Sequence, residues 1–257
     1  MRREQSQQNT GARRESPHTK IVAAPLFLVS VPIGHPDDMT IRALAILSHV
    51  DIVATEDPLA TQSLLRHHNL SPTLTSYGPT KIREKVAVLM HRLQQGASVA
   101  LVSDCGSPVI SDPGCLLVAA AHRNHIPVHS IPGPSAVTAA IAASGFPAEA
   151  FHFYGTITTK DSLHKRRLAC ILMQTETTVV FCQPQSCAAI LKTVAAIAPR
   201  RKIALTCNLT LHDETIFRGT AGHISKQFSR VAQPQAVAMV IGRATAKTGR
   251  KRNPGLL

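Results

Sequence analysis

Short apolar runs punctuate the first half of this chain at regular intervals. They are LFLVSV at Leu26–Val31, VDIVA at Val50–Ala54, VALV at Val99–Val102 and PVHSI at Pro127–Ile131. Each ends among small, polar, acidic or Gly/Pro residues, the pattern of a buried strand delivering a loop. Between them, apolar residues recur at helical spacing: Ile41, Leu44, Ala45 and Leu47, then Val86, Leu89, Met90 and Leu93 within Lys81–Gln95. Asp37 or Asp38 is expected to cap the first of these helices, and Gly96 closes the second. A short helix is expected over about Thr61–His68, a short strand over Leu74–Tyr77, and helices over Asp112–Asn124 and Ser135–Ser144. Strands alternating with helices in this way predict a parallel α/β sheet. The second half differs. Strands are expected at Phe151–Gly155, Thr177–Cys182, Lys202–Cys207, Glu214–Gly219 and Gln235–Gly242, with helices over Asp161–Gln174, Pro184–Ala198 and Thr220 to about Val231. Adjacent strands with short links predict a mixed sheet. The fold class is therefore α/β in two domains, 23–133 and 134–243, joined near Pro132-Gly133-Pro134. A basic leader, 1–22, is expected to be disordered, and a basic tail, 244–257, follows.

Composition adds three constraints. Aromatics make up 4% of the 257 residues and Trp is absent, so aliphatic packing dominates and few platforms exist for stacking single-stranded bases. The formal charge is +13, of which +3 falls in residues 1–20 and +5 in the Arg243–Leu257 tail. Such tails are inexpensive binders of nucleic acid or anionic surfaces, or else solubilising ends. The six Cys show no C-x-x-C pair and no zinc spacing with His. This argues for free thiols in a reducing cytosol and against a metal site. No apolar stretch is long enough to span a membrane. Residues 1–20 with IVAAPLFLVSV faintly resemble a signal peptide, but the leader contains acids and lacks a clear cleavage site, so it reads as leader plus first strand.

Three first-half strands end in small-residue loops: PIGHPDD, SDCGSPVISDPG and PGPSA. In an open parallel sheet all three gather on the edge where ligands bind. Gly106 lets backbone approach a ligand, and Asp104 places a carboxylate at a strand end, although Asp112-Pro113 in the same loop also reads as a helix cap. G-x-G-x-x-G after the first strand, G-x-x-x-x-G-K-[ST] and G-x-S-x-G are all missing, which removes most support for dinucleotide, P-loop and hydrolase readings. Small loops suit a flat, neutral or zwitterionic ligand held between two domains.

The ordered segments VPIGHPDDMTIRAL, VDIVATED, ALVSDCGSPVISDPG, IPGPSAVTAAIAASGFP, FHFYG and ETIFRG resemble the tetrapyrrole methylase family. The resemblance covers about Pro25–Gly242. It implies an S-adenosyl-L-methionine-dependent methyltransferase with the cofactor between two α/β domains, and a homodimer. Within the family the likeness is to the branch that methylates a cytidine 2′-hydroxyl in small-subunit ribosomal RNA, so ribosomal RNA or the small ribosomal subunit is the expected partner. The resemblance places Pro32, Ile33 and Gly34 beside the site. It assigns cofactor contacts to Asp104, Gly106, Ser107, Ser135 and Ala136, and to Cys182, Leu209 and Met239 in the second domain. Asp104 could pair with the amino-acid end of the cofactor, and Ser135 opens a helix where unpaired N–H groups favour a carboxylate. Methyl transfer gains chiefly from in-line alignment. A ribose hydroxyl would also gain from a base, for which Glu56 or Asp57 is the candidate; Asp57 before Pro58 reads more readily as the start of a turn.

The chain departs from the ribosomal branch on the side expected to meet substrate. His35 follows Gly34 where Asn is usual, Pro58-Leu59-Ala60-Thr61 lacks that branch's Arg and His, and Cys207–Leu211 lacks its charged run. The alternatives are therefore another methyl acceptor, or a protein that binds cofactor or RNA without turnover.

Overall fold

The computed structural model describes residues 23–160, 163–229 and 233–244; the leader and nearly all of the basic tail lie outside the described residues. Five strands build the first sheet: β1 (Leu26–Val29), β2 (Ile52–Thr55), β3 (Leu74–Ser76), β4 (Val99–Val102) and β5 (Val128–Ile131). All pair in parallel, in the order β3-β2-β4-β1-β5. Helices α1 (Ile41–Leu47), α2 (Pro58–His67), α3 (Ile82–Gln94) and α4 (Cys115–Arg123) flank it. β4 shows why the sequence of a central strand is unbroken apolar. Its Val99 and Leu101 pack with Leu89, Leu93 and Leu117 of α3 and α4, while Ala100 and Val102 pack with Ala43, Leu47 and Leu65 of α1 and α2. The chain runs from β1 outward through β2 and β3, then returns through β4 to β5. The switch point thus falls between β1 and β4, and their loops leave side by side.

The second sheet holds β6 (Phe151–Ile157), β7 (Thr177–Cys182), β8 (Lys202–Cys207), β9 (Thr215–Thr220) and β10 (Val237–Ile241), in the order β6-β7-β10-β8-β9. β6 and β7 are parallel and the other pairs antiparallel, so the sheet is mixed. Helix α5 (Ala136–Ser144) lays Val137, Ala140 and Ile141 on one face, against Val179, Ala204 and Val240. Helices α6 (His164–Leu172), α7 (Cys187–Ile197) and α8 (Ala221–Phe228) cover the other.

Several element ends differ from expectation, each for a local reason. Asp37 and Asp38 do not cap α1; they lie in a 3-10 turn, Pro36–Asp38, and Thr40 caps α1 by accepting the Ala43 N–H. Helix α2 starts earlier, at Pro58, because Asp57 caps it. Helix α4 starts later, at Cys115: Asp112 accepts from the Val109 and Gly114 N–H groups and closes a turn instead of opening the helix. Residues 230–232, in the expected C-terminal end of α8, lie outside the described residues.

Candidate active site

Gly106 is the hub of the first domain's loop edge. Its N–H donates to Val31 O (3.1 Å) and its carbonyl accepts from Val31 N (2.9 Å), so the loops after β1 and β4 are bridged as if the sheet continued. Its φ of 75° favours glycine. A Cβ there would stand 3.4 Å from Ile33 Cγ2, 3.8 Å from Pro134 O and 4.0 Å from Ala136 N. One residue therefore touches the loops after β1 and β5 while sitting in the loop after β4. Ser107 fastens the same junction: its hydroxyl shares a 3.0 Å hydrogen bond with Ser30 Oγ and reaches Pro134 O at 3.4 Å.

The second domain presses its own loop onto this edge. A Cβ at Gly34 would meet Leu209 O at 2.5 Å and Thr210 Oγ1 at 2.6 Å, and the His35 N–H donates to Thr210 Oγ1 at 2.8 Å. That loop is shaped by Asn208, buried with φ 53°. Its Oδ1 accepts from the Gln235 and Ala236 N–H groups, and its Nδ2 donates to Asp213 Oδ2 at 2.7 Å.

Between the domains lies an apolar cavity of about 260 Å³. The first domain contributes Ile33 and Cys105, and Ala136 at the start of α5 closes that side. The second contributes Phe181, Cys182, Leu209 and Ala236–Ala238, with Thr156, Gln183, Thr206 and Gln235 as polar groups. Apolar walls with a few convergent polar groups are what small-molecule sites look like. A shallower groove lies on the other side of Ile33, lined by Asp38, Thr40, Pro134, Ser135 and Thr210. Ser135 stands at the N-terminus of α5 yet makes no capping bond, so its hydroxyl is uncommitted.

The acidic groups lie together at the ends of β2 and β4. Asp104 is exposed and its Oδ1 accepts the Asp57 N–H at 3.1 Å, tying the two strand ends. Glu56 is raised from its ordinary value, first by burial and then by the charges of Asp112 and Asp104. Asp112 is raised as well, by burial against the two N–H groups it accepts from, with a further push from Asp104. Tyr77 follows β3; it is 1% exposed, its hydroxyl lies near the Leu117 backbone without a well-aligned hydrogen bond among the described residues, and burial pushes it up to about 12.

Most of the residues named from the sequence converge here. Ile33, Ala136, Cys182 and Leu209 line the cavity; Pro32, Gly34, Gly106 and Ser107 build the junction behind it; Asp104 stands beside Cys105 of its wall, and Ser135 faces the groove. Two expectations need correction. Met239 packs in the core with Ile190, Val194 and Ile224, and its neighbour Ala238 faces the cavity instead. Asp57 commits its carboxylate to capping α2, accepting from Leu59 N (2.9 Å) and Ala60 N (3.1 Å). Gln183, Gln235, Thr156 and Thr206 escaped sequence reasoning, because nothing in a lone Gln or Thr at a strand end marks it as facing a cleft.

A two-domain α/β protein with a ligand cleft at the switch point of its parallel sheet is the class that fold and site define. Residues 25–225 match the family Tetrapyrrole (Corrin/Porphyrin) Methylases, and the chain belongs to that family. A ribosomal RNA small subunit methyltransferase I from Mesorhizobium japonicum is 37% identical over 235 residues, 89% of this chain and 80% of that protein. Its counterpart from Micromonospora olivasterospora is 34% identical over 229 residues, 88% of this chain and 73% of that one. Among solved structures, a uroporphyrin-III C-methyl transferase from Thermus thermophilus, complexed with S-adenyl homocysteine, superposes with a TM-score of 0.58 at 19% identity. The match covers 85% of this chain and 97% of that one.

Proposed function

We propose that this protein methylates small-subunit ribosomal RNA from S-adenosyl-L-methionine, at the 2′-hydroxyl of a cytidine. The observation behind the proposal is the cavity where all three first-domain strand-end loops meet the ends of β7, β8 and β10. Its chemistry suits the cofactor: apolar walls for a flat base, Gln183 and Gln235 for polar edges, and Asp104 and Ser135 near the rim for an amino-acid end. The cofactor supplies an electrophilic methyl group. The chain's own contribution is alignment, through loops fixed at Gly106, and proton removal. Glu56 is the proposed base, since burial first, and then the charges of Asp112 and Asp104, raise its proton affinity.

The same proposal includes a homodimer and residence in the cytoplasm. All six cysteines are free, and no helix among the described residues is long and apolar enough to cross a membrane. Light scattering on the purified protein reads the oligomeric state.

The deciding experiment has two stages. Calorimetric titration with S-adenosyl-L-methionine should show binding that Asp104→Ala weakens with the fold intact. Mapping of 2′-O-methyl groups in ribosomal RNA from a deletion strain should then show one small-subunit cytidine unmodified. Absent cofactor binding rejects the methyltransferase reading; binding with an unchanged methylation map rejects the RNA acceptor alone.

A further inference from the structure

We infer that Asp37, His67 and His68 form a site for a divalent transition-metal ion of the zinc class, outside the cavity. No sequence motif marks it, because Asp37 lies 30 residues before His67 and the two histidines are adjacent in the chain. The fold assembles them. Asp37 lies in the 3-10 turn that continues the loop after β1; His67 ends α2 and His68 caps it. One ligand atom from each lies within 4.8 Å of the other two. His67 Nε2 is 2.7 Å from Asp37 Oδ1, and His68 Nε2 is 3.0 Å from the neighbouring Pro36 carbonyl. Successive helical residues normally diverge by about 100°, yet both imidazoles turn toward this one loop, their rings edge to face at 4.9 Å.

Two imidazoles and a carboxylate suit zinc, nickel or copper better than magnesium or calcium. A tetrahedral ion bound about 2.0–2.1 Å from each donor sets the donors about 3.4 Å apart. The His67–Asp37 pair needs to open by less than about 1 Å for this, the ion taking the place of the proton they share. His68 exchanges its bond to Pro36 O for the metal. The two imidazoles are exposed or half-exposed, so an ion can enter and a fourth position stays open to water. Its effect would be mechanical: Ile33 of the same loop lines the cavity and His35 bonds Thr210, so an ion here would pin that wall to α2.

The test uses the full chain, stripped with a chelator and titrated calorimetrically with zinc chloride. One equivalent should bind in the micromolar range or tighter. Asp37→Asn and His67→Ala should each weaken it by on the order of tenfold or more, while His91→Ala and His122→Ala, on exposed positions of α3 and α4, should not. The side chains are at the surface, and circular dichroism confirms that the variants fold. Cobalt substitution reports the donor set: bands of nitrogen and oxygen ligation support the site, and thiolate charge-transfer bands abolished by Cys105→Ser overturn it. Failure to bind in the micromolar range, or binding indifferent to Asp37→Asn and His67→Ala, also overturns it, leaving a hydrogen-bonded surface cluster.

Discussion

Gly34→Ala is the sharpest probe of how the two domains hold the cleft. The added methyl would stand 2.5 Å from Leu209 O, 2.6 Å from Thr210 Oγ1 and 3.1 Å from Leu211 Cγ. None of these yields easily. The Leu209 oxygen is backbone. Thr210 is pinned twice, accepting the His35 N–H and donating its own N–H to Glu214 Oε2 at 2.6 Å. The loop can relieve the clash only by backing away from the first domain. Overpacking of this kind costs roughly 1–3 kcal/mol, which for a chain of this size lowers Tm by about 2–4 °C per kcal/mol. Ile33 and Leu209 flank the cavity, so separating their loops also widens it. Cofactor affinity should therefore fall, by about tenfold for each 1.4 kcal/mol lost from the closed arrangement. Thermal melting and calorimetric titration read both effects. Gly222→Ala, in α8 with nothing within 4 Å of the added atom, is the comparison and should be neutral or slightly stabilising. A Gly34→Ala protein with unchanged Tm and affinity, or one no worse than Gly222→Ala, would refute the argument.

Three further outcomes are expected. Asn208→Ala removes the acceptor of two backbone N–H groups and should cost about 2–4 kcal/mol in urea unfolding; a loss below about 1 kcal/mol would mean that water replaces the side chain. Tyr77→Phe deletes a buried hydroxyl with no well-aligned partner among the described residues, so stability should be equal or higher by up to about 1 kcal/mol; a clear loss would show that the nearby Leu117 backbone bonds it. Glu56 is raised in the folded protein, so its protonated form favours folding, and that contribution is complete below the unfolded-state value near 4 and is lost as pH rises through the folded one. Glu56→Gln should therefore raise Tm relative to the native protein at pH 7 and less so at pH 4; a pH-independent difference would contradict the assignment. The same variant should lower methyl transfer while leaving cofactor binding intact.

The strands were the most readable part of the sequence. β7 and β8 occupy the expected residues, because apolar and β-branched runs bounded by polar residues admit little else. Helix starts were harder. Asp37, Asp38 and Asp57 are chemically equal candidates for a cap, and the 3-10 turn at Pro36–Asp38, which tertiary contacts select, decides among them. In the site, strand alternation made Met239 the instructive miss. The expected strand end was right to within two residues, but a slip of one position along a strand moves a side chain from cleft to core, as Ala238 and Met239 show. Asn208 was legible only as part of an altered loop. Its role depends on β10 arriving beside β8, a contact no local pattern encodes.

Gly106 also bears on how such a site can diversify. Because one backbone position contacts the loops after β1 and β5 and bridges the first by hydrogen bonds, a change in any one of the three disturbs the others. The donor half of the cleft is in effect a single part that accepts few piecemeal edits. Of the positions expected to differ from the ribosomal branch, His35 lies in the first of these loops, whereas Pro58–Thr61 and Cys207–Leu211 lie outside all three. New acceptors can be explored there while the donor half is inherited whole.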